Sequence, residues 1–309
     1  MTPFLTLFTA PKPFTDPHIA LIQRNTLRNW KALDDTVEVV VIGDEPGIAD
    51  VCAEMGLIHL PDVDCNAMGT PLISSIFDLA RSVNKSPYLA YANADILFLP
   101  ELLGAVRAVG SERDRFLGVG QRWDLDVEDP ISFADDWGER LRQRAQRDGE
   151  LHGQTGSDYF IYPRSCFREI PDFAVGRAGW DNWMIFRGRW QHWPVVDMTD
   201  SLMAIHQNHG YAHLPGGVIH YKQPETHDNV RMAGGRRTIF KLSDATHELS
   251  GDRLNNKPLN WSTFWREVEI FPLTWLHSRF LGYLSFSIFH PIKAIKEFRG
   301  WLAYKLNQR

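Results

Sequence analysis

The sequence predicts an α/β fold with a doubly wound sheet of mostly parallel strands. Short apolar runs recur through the N-terminal third, and amphipathic stretches of helical length separate them. Polar residues gather where each run ends, the carboxyl end at which such sheets bind ligands. Phe4-Leu5-Thr6-Leu7-Phe8-Thr9 reads as the first strand, closed by the loop Ala10-Pro11-Lys12-Pro13. Residues 17–33 have helical spacing, with Ile19, Ile22, Leu27 and Trp30 within one broad face. Val37–Ile42 is apolar apart from Glu38, as a buried parallel strand is, and ends in the turn Gly43-Asp44-Glu45-Pro46-Gly47. Residues 48–56 read as a helix, 57–60 as a short strand, and 70–83 as an amphipathic helix started by Thr70-Pro71. Residues 88–100 follow as one strand interrupted by the triplet Asn93-Ala94-Asp95. Lys12, Asp44 and Asp95 thus all fall at strand ends, around one crevice. Beyond Pro100 a helix runs to Val109, residues 116–120 form another strand, and residues 123–150 read as a long charged loop followed by a solvated helix from Trp137 to Asp148.

Composition narrows the class. With 309 residues, 44% of them hydrophobic, the chain can bury one large α/β domain with appendages, or two small domains. Charged residues make up 23%, which argues against global disorder. Cys52, Cys65 and Cys166 are scattered and odd in number, without a C-x-x-C pair, the usage expected in a reducing cytosol. Residues 1–9 lack a basic stretch and a long apolar run, so no signal peptide is expected there. Charge is unevenly spread. Residues 271–309 hold six Lys/Arg and one Glu, whereas the remainder holds 27 Lys/Arg and 37 Asp/Glu. An acidic body with a basic tail predicts an anionic partner for the tail alone. Nucleic acid is not expected, because the body repels it and no binding motif is visible.

Two further constellations carry chemistry. Gly156-Ser157-Asp158-Tyr159-Phe160 puts a carboxylate at the entrance of a strand. Gly176-Arg177-Ala178-Gly179-Trp180-Asp181-Asn182-Trp183 sets two glycines, which allow a tight turn and close approach of a ligand, before a Trp–Asp pair. Trp180 and Trp183 offer stacking faces for a sugar ring and Asp181 a base for its hydroxyl; the alternative is a helix start capped by Asp181 with both tryptophans packed inward. In Ala204-Ile205-His206-Gln207-Asn208-His209-Gly210-Tyr211-Ala212-His213, His206 and His209 are three apart, so one turn of helix or a compact loop aims both at one metal. A helical H-E-x-x-H zinc arrangement is absent.

Together these residues resemble GT-A glycosyltransferases of the bacterial polysaccharide-assembly type over roughly residues 4–250. Asn93-Ala94-Asp95 is similar to their D-x-D motif, with Asn in the first position. Many inverting members run in the order first strand, D-x-D, a Gly-Trp-rich acidic segment, then a His metal ligand. The β-1,4-galactosyltransferases have Gly-Trp-Gly-x-Glu-Asp there, reduced here to Gly-Trp-Asp-Asn. Asp181 lies 86 residues after Asp95, and His206 and His209 follow it by 25 and 28. The resemblance implies transfer of a sugar from a UDP- or GDP-linked donor, with inversion, to a glycan or lipid-linked acceptor. It implies Mn2+ or Mg2+ on Asp95 with His206 or His209, and Asp181 as catalytic base, with Asp158 as the substitute candidate. Thr9, Lys12, Asp44, Asn93, Asp95 and Asp158 would bind the donor, and Trp180 and Trp183 the acceptor.

The division expected is a catalytic domain over 1–225, an active-site-flanking extension over 226–270 and a basic tail over 271–309. In the tail, Ile295, Phe298, Trp301, Leu302 and Leu306 fall near one helical stripe with Lys293, Lys296, Arg299 and Lys305 largely off it, the pattern of an interfacial helix on anionic lipid. The apolar run from Phe280 to Phe289 is too short to span a bilayer. A peripheral place on the cytoplasmic face of the inner membrane is the matching expectation. Ala233-Gly234-Gly235-Arg236-Arg237 reads as a turn and helix, or as a flap over a diphosphate, and His247 is a rival metal ligand. The competing functions are a nucleotidyltransferase, which lacks its Gly-rich loop after the first strand, a zinc hydrolase built on His206, His209 and His213, and a non-catalytic carbohydrate-binding protein.

Overall fold

The computed structural model describes residues 2–210 and 223–306. Its frame is a nine-stranded mixed sheet in the order β13-β12-β10-β6-β9-β4-β1-β2-β3. The N-terminal half of this sheet consists of β1 (Leu5–Thr9), β2 (Val37–Ile42), β3 (Ile58–Leu60) and β4 (Tyr88–Ala92), all parallel. β9 (Tyr159–Pro163) runs antiparallel between β4 and β6 (Leu117–Val119). β10 (Val195–Asp197) and β12 (His247–Ser250) then return to the parallel direction, and β13 (Arg253–Asn256) closes that edge as a hairpin partner of β12.

Alternation along the strands divides the interior in two. Phe8, Val40 and Ile42 face a core with α3 (Ile73–Ser82) and α6 (Trp180–Trp190). Leu5, Leu7, Val39 and Val41 face the other core, with α1 (Pro17–Lys31), α2 (Ile48–Met55) and α4 (Leu102–Glu112). Helices therefore cover both faces, which is why β1, β2 and β4 read as near-continuous apolar runs.

The stretch expected as one strand over 88–100 is two. β4 ends at Ala92, the chain turns at Asn93–Asp95 with Ile96 N–H donating to the Asn93 carbonyl at 3.1 Å, and β5 (Ile96–Phe98) enters a second sheet. That sheet has the order β5-β11-β7-β8, from β7 (Arg122–Leu125), β8 (Glu150–Leu151) and β11 (Ala204–Gln207). It packs on α5 (Trp137–Asp148) through Leu97, Leu125, Leu141 and Ile205. Two expectations are corrected here. Residues 122–125 are a strand rather than the start of a loop, because Arg-Trp-Asp-Leu alternates polar and apolar. His206 sits on a strand rather than a helical turn, held by β5 on one side and β7 on the other.

α1 begins at Pro17, capped by Asp16, whose side chain accepts from the His18 and Ile19 N–H groups. Its face toward the second sheet buries polar residues. Asn29 grips Phe98 at both backbone atoms, donating to its carbonyl at 3.0 Å and accepting from its N–H at 2.8 Å. Trp30 Nε1 donates to the Ile96 carbonyl at 2.9 Å. Gln207, fully buried, donates to the Ile22 carbonyl and to Thr26 Oγ1, and accepts from Asn25 Nδ2 at 3.1 Å. Its backbone N–H reaches the Asp95 carbonyl at 3.0 Å.

After residue 223 come α7 (Pro224–Ala233) and the helices α8 (Trp261–Thr274), α9 (Arg279–Phe289) and α10 (Pro291–Leu306). Among the described residues no helix is long and apolar enough to cross a membrane. Trp261, Phe264, Trp265, Phe271, Trp275, Phe280, Ile288, Ile292, Ile295 and Phe298 are nevertheless exposed on these three helices. The side chains of Trp301, Leu302, Lys305 and Leu306 lie outside the described set.

Replacing Asn29 by Ala leaves the Phe98 N–H and carbonyl buried without partners. We expect a loss of about 2–6 kcal/mol, at about 1–3 kcal/mol for each of the two orphaned groups. Urea unfolding checks this; a loss below about 1 kcal/mol would show that the clamp is dispensable.

Candidate active site

The turn Asn93–Asp95 links the two sheets at the carboxyl end of β4. Asp95, on the turn, and His206 and His209, on and just after β11, offer three ligand atoms within 4.8 Å of one another. His209 Nε2 stands 3.1 Å and His206 Nε2 3.9 Å from Asp95 Oδ2. Two ligands on one divalent ion at about 2.1 Å each lie at most about 4.2 Å apart, so both separations fit a shared ion. Asp95 Oδ1 is buried without a hydrogen-bond partner among the described residues, an orphaned oxygen of the kind a cation satisfies. The chemistry of the donor set, one carboxylate and two imidazoles, fits a first-row divalent metal.

Burial opposes ionisation of Asp95, yet the His209 hydrogen bond and the charges of His206 and Lys12 outweigh it and hold the carboxyl at about 2. Lys12, from the loop after β1, places Nζ 3.4 Å from His209 Nε2. Burial lowers its pKa and Asp95 partly restores it. The loop is fixed by Gln23 of α1, which accepts from the Lys12 N–H at 2.7 Å and donates to its carbonyl at 2.9 Å.

A ring of residues surrounds this triad. Asp158 enters β9 opposite the end of β4, pairs with Arg122 and accepts from Asn93 Nδ2 at 2.9 Å. Asn93 Oδ1 accepts from the Tyr91 hydroxyl at 3.2 Å. Asn93 therefore ties the turn to β9, and its side chain belongs to Asp158 and Tyr91 rather than to the triad. Arg122 Nε also donates to Asp124 Oδ1 at 2.8 Å, and Asp124 Oδ2 meets His152 Nδ1 at 2.7 Å. His206 Nδ1 approaches Asp124 Oδ1 to 3.1 Å, without the alignment of a hydrogen bond. The sequence pattern singles out neither Arg122, Asp124 nor His152, and Asp124 lies on β7 rather than in the charged loop expected there. The alternation at 122–125 was the available signal, since it puts Arg122 and Asp124 on one strand face.

Asp181 occupies the first turn of α6. Gly179 caps that helix at φ 111°, a left-handed conformation natural to glycine, and donates its N–H to Asp181 Oδ1 at 3.1 Å. Burial pushes the Asp181 carboxyl up to about 6; the Asn182 and Gly179 N–H groups pull against it and nearby Asp158 adds to the rise.

Trp180 and Trp183 correct the expectation of sugar-facing rings. Each is only 6% exposed. Trp180 meets Tyr91 edge-on with centroids 5.1 Å apart and also contacts Phe160 and Phe77; Trp183 packs on Phe173. α6 buries these rings to anchor Asp181, which leaves no face for an acceptor. Thr9, at the end of β1, is fully buried, and its hydroxyl has no hydrogen-bond partner among the described residues. Asp44 stands exposed just past β2, and among the described residues nothing bonds it to the triad. His247 lies on β12 and is outside the described ligand cluster. His213 lies outside the described residues.

No protein-family model matches the sequence, and no curated protein matches it. Among solved structures, the chain is similar to the mannosyltransferase PcManGT from Pyrobaculum calidifontis in complex with GDP-Man and Mn2+. The identity is 12% and the TM-score 0.42, over 69% of this chain and 59% of that one. It is also similar to S. aureus TarS 1-349 in complex with UDP-GlcNAc, at 14% identity and a TM-score of 0.30, over 40% of this chain and 36% of that one.

Asp181 also carries a stability signature. Its folded pKa of about 6 exceeds the ordinary 3.8, so the folded state holds this proton more tightly than the unfolded state. Its cost is absent below about pH 4 and grows as pH rises through 4 to 6. Asp181→Asn is expected to stabilise the protein by about 1–3 kcal/mol at pH 7 and by nothing near pH 4. Denaturant midpoints at the two pH values check the difference, and an equal effect at both would show that the carboxyl titrates normally.

Proposed function

We propose that the chain is a glycosyltransferase that takes a sugar from a UDP- or GDP-linked donor. The observation that carries this reading is the Asp95–His206–His209 triad at the carboxyl end of β4, beside Lys12. Departure of a nucleoside diphosphate builds negative charge, and a divalent cation on the triad would supply Lewis-acid stabilisation of it. The two imidazoles favour Mn2+ over Mg2+. His209 Nε2 cannot serve both an ammonium and a metal, so cation binding would turn Lys12 toward the phosphate oxygens. Exposed Asp44 stands on the nucleotide side of the crevice, toward the base or ribose, while fully buried Thr9 supports the end of β1 beneath it. Asp158, Asn93 and Arg122 hold the donor turn in place.

Asp181 is the catalytic base. It takes the proton of the acceptor hydroxyl as that oxygen attacks the anomeric carbon, and a base on the face opposite the diphosphate gives inversion. A pKa near 6 suits the task, since the group is ionised at neutral pH and still basic enough to accept a proton. The acceptor is a glycan or a lipid-linked saccharide. The exposed apolar side chains and the cations Lys293, Lys296 and Arg299 suit residues 271–309 to an anionic membrane surface, at the cytoplasmic face of the inner membrane.

Transfer should fall as pH drops through about 6, and Asp181→Asn should lower it by about 10²–10⁴-fold while donor affinity changes only a few-fold. Near-normal turnover in that variant removes Asp181 as the base. Asp95→Ala should lose both Mn2+ dependence and donor binding by calorimetry; unchanged donor affinity sinks the triad's role. Metal analysis separates the zinc hydrolase, which requires tightly held zinc and hydrolysis without sugar transfer.

A further inference from the structure

Away from the triad, a cavity of about 440 Å³ opens between the segment 236–244 and helices α8, α9 and α10. Its volume lies in the range of small-molecule sites, about 300–1,000 Å³. Its lining is cationic: Arg236, Arg237, Lys241, Arg266 and Lys293, with His290 beside them. Among the described residues the only lining carboxylates are Asp244 and Glu269, and both are engaged. Arg266 reaches Asp244 at 2.8 Å and Glu269 at 3.1 Å, and His290 reaches Glu269 at 3.2 Å. Glu297, behind the wall, pairs with Arg237 and lies 3.9 Å from Arg236. Positive charge remains in excess after all three acids are counted. The Lys241 backbone N–H donates to Asp244 Oδ2 at 2.9 Å, but among the described residues neither the Lys241 nor the Lys293 ammonium forms an ion pair with the lining carboxylates, which Arg266 and His290 occupy. Arg237 lies against the Phe286 ring, is 13% exposed, and keeps Nε buried without a hydrogen-bond partner among the described residues.

The surroundings say what kind of anion such a cavity meets. The same helices carry Phe280, Ile288 and Ile292, each about 70% exposed or more. A cationic cavity bordered by unburied aliphatic and aromatic side chains matches an anion attached to a hydrocarbon chain better than a free one. One hydrogen bond links the cavity wall to α6: Asn182, next to Asp181, donates to the Phe240 carbonyl at 2.7 Å, and the residues on either side of Phe240 line the cavity.

We propose that this cavity binds the terminal phosphate or diphosphate of a membrane lipid. The inference rests on the reading of residues 271–309 as membrane-facing. Arg237 and Arg266 form the fixed part of the cradle and Lys241 and Lys293 the adaptable part, while the chain's apolar tail follows the exposed faces of α9 and α10. A phosphomonoester or diphosphate, with several charged oxygens, would gain more from this cradle than a phosphodiester headgroup.

The test is flotation of the full chain with phosphatidylcholine vesicles doped with phosphatidic acid, or with phosphatidylglycerol at matched surface potential. The wild type is expected to prefer the phosphatidic acid vesicles several-fold. Lys241→Gln with Lys293→Gln, which breaks no described ion pair, should abolish the preference. Lys296→Gln with Arg299→Gln removes the same charge outside the cavity and should retain it. Thermal melts confirm that both variants fold. Equal binding to the two vesicles overturns the cavity assignment while leaving membrane contact standing. Binding to neither overturns the membrane reading and this inference together. Protection by soluble pyrophosphate as strong as by dispersed phosphatidic acid would assign the site to a free anion and overturn the lipid assignment.

Discussion

Asn29 and Trp30 make one face of α1 a clamp on the backbone of the smaller sheet, and Asn25 and Thr26 on the same helix hold the Gln207 side chain. β5 has three residues and β11 four, too few to fix their own register firmly. Asn29 holds Phe98 and Trp30 holds Ile96, so β5 cannot slide along α1. Gln207 ties the end of β11 to α1 and, through its backbone, to the Asp95 carbonyl. Asp95 thus has a fixed backbone on one side and His206 on a pinned strand on the other. Buried polar groups of this kind are costly unless each partner is in place, and here the partnering sets the geometry of the triad.

The large sheet was legible because burial on both faces writes itself as apolar runs. The strands at Leu5–Thr9, Val37–Ile42 and Ile58–Leu60, and the helix Trp137–Asp148, fall where the pattern places them. The smaller sheet was less legible. Residues 96–98 continue the apolar run of β4, so nothing local announces that the chain changes sheets at Asn93–Asp95. Arg122 and Asp124 were hidden because two alternating pairs are a short signal inside a charged region. The nearness of His206 and His209 to Asp95 depends on pairing between residues more than a hundred positions apart, which periodicity does not encode. Trp180 and Trp183 misled for the converse reason. A Gly-Trp-Asp phrase describes a helix start with buried rings as well as an open binding face, and only packing against Tyr91, Phe160 and Phe173 separates the two.

Those buried rings have a consequence for Asp181. An aromatic core under the first turn of α6 removes water from one side of the carboxylate, and Asp158 adds like charge. Gly179 and Asn182 supply N–H groups that keep the carboxylate oriented in spite of this cost. The result is a group that is rigid and reluctant to ionise, the environment in which enzymes raise a carboxyl toward neutral pH. The fold gives up some stability at neutral pH at this position, so the carboxylate is better explained by chemistry than by packing.

Charge separation bears on how the proposed membrane contact would orient the chain. The first 270 residues carry ten more acidic than basic side chains, and the remainder five more basic than acidic. An anionic surface attracts the tail and repels the body, and screening confines both effects to about 8–10 Å. Only approaches that bring α9 and α10 to the surface are therefore favourable. The exposed apolar residues on those helices add a contact that salt does not screen. An orientation set by charge and held by apolar contact would present the cationic cavity to the lipid headgroups. The Asn182–Phe240 hydrogen bond then relates that cavity to the start of α6, so the proposed lipid-phosphate site and the proposed base belong to one packed unit.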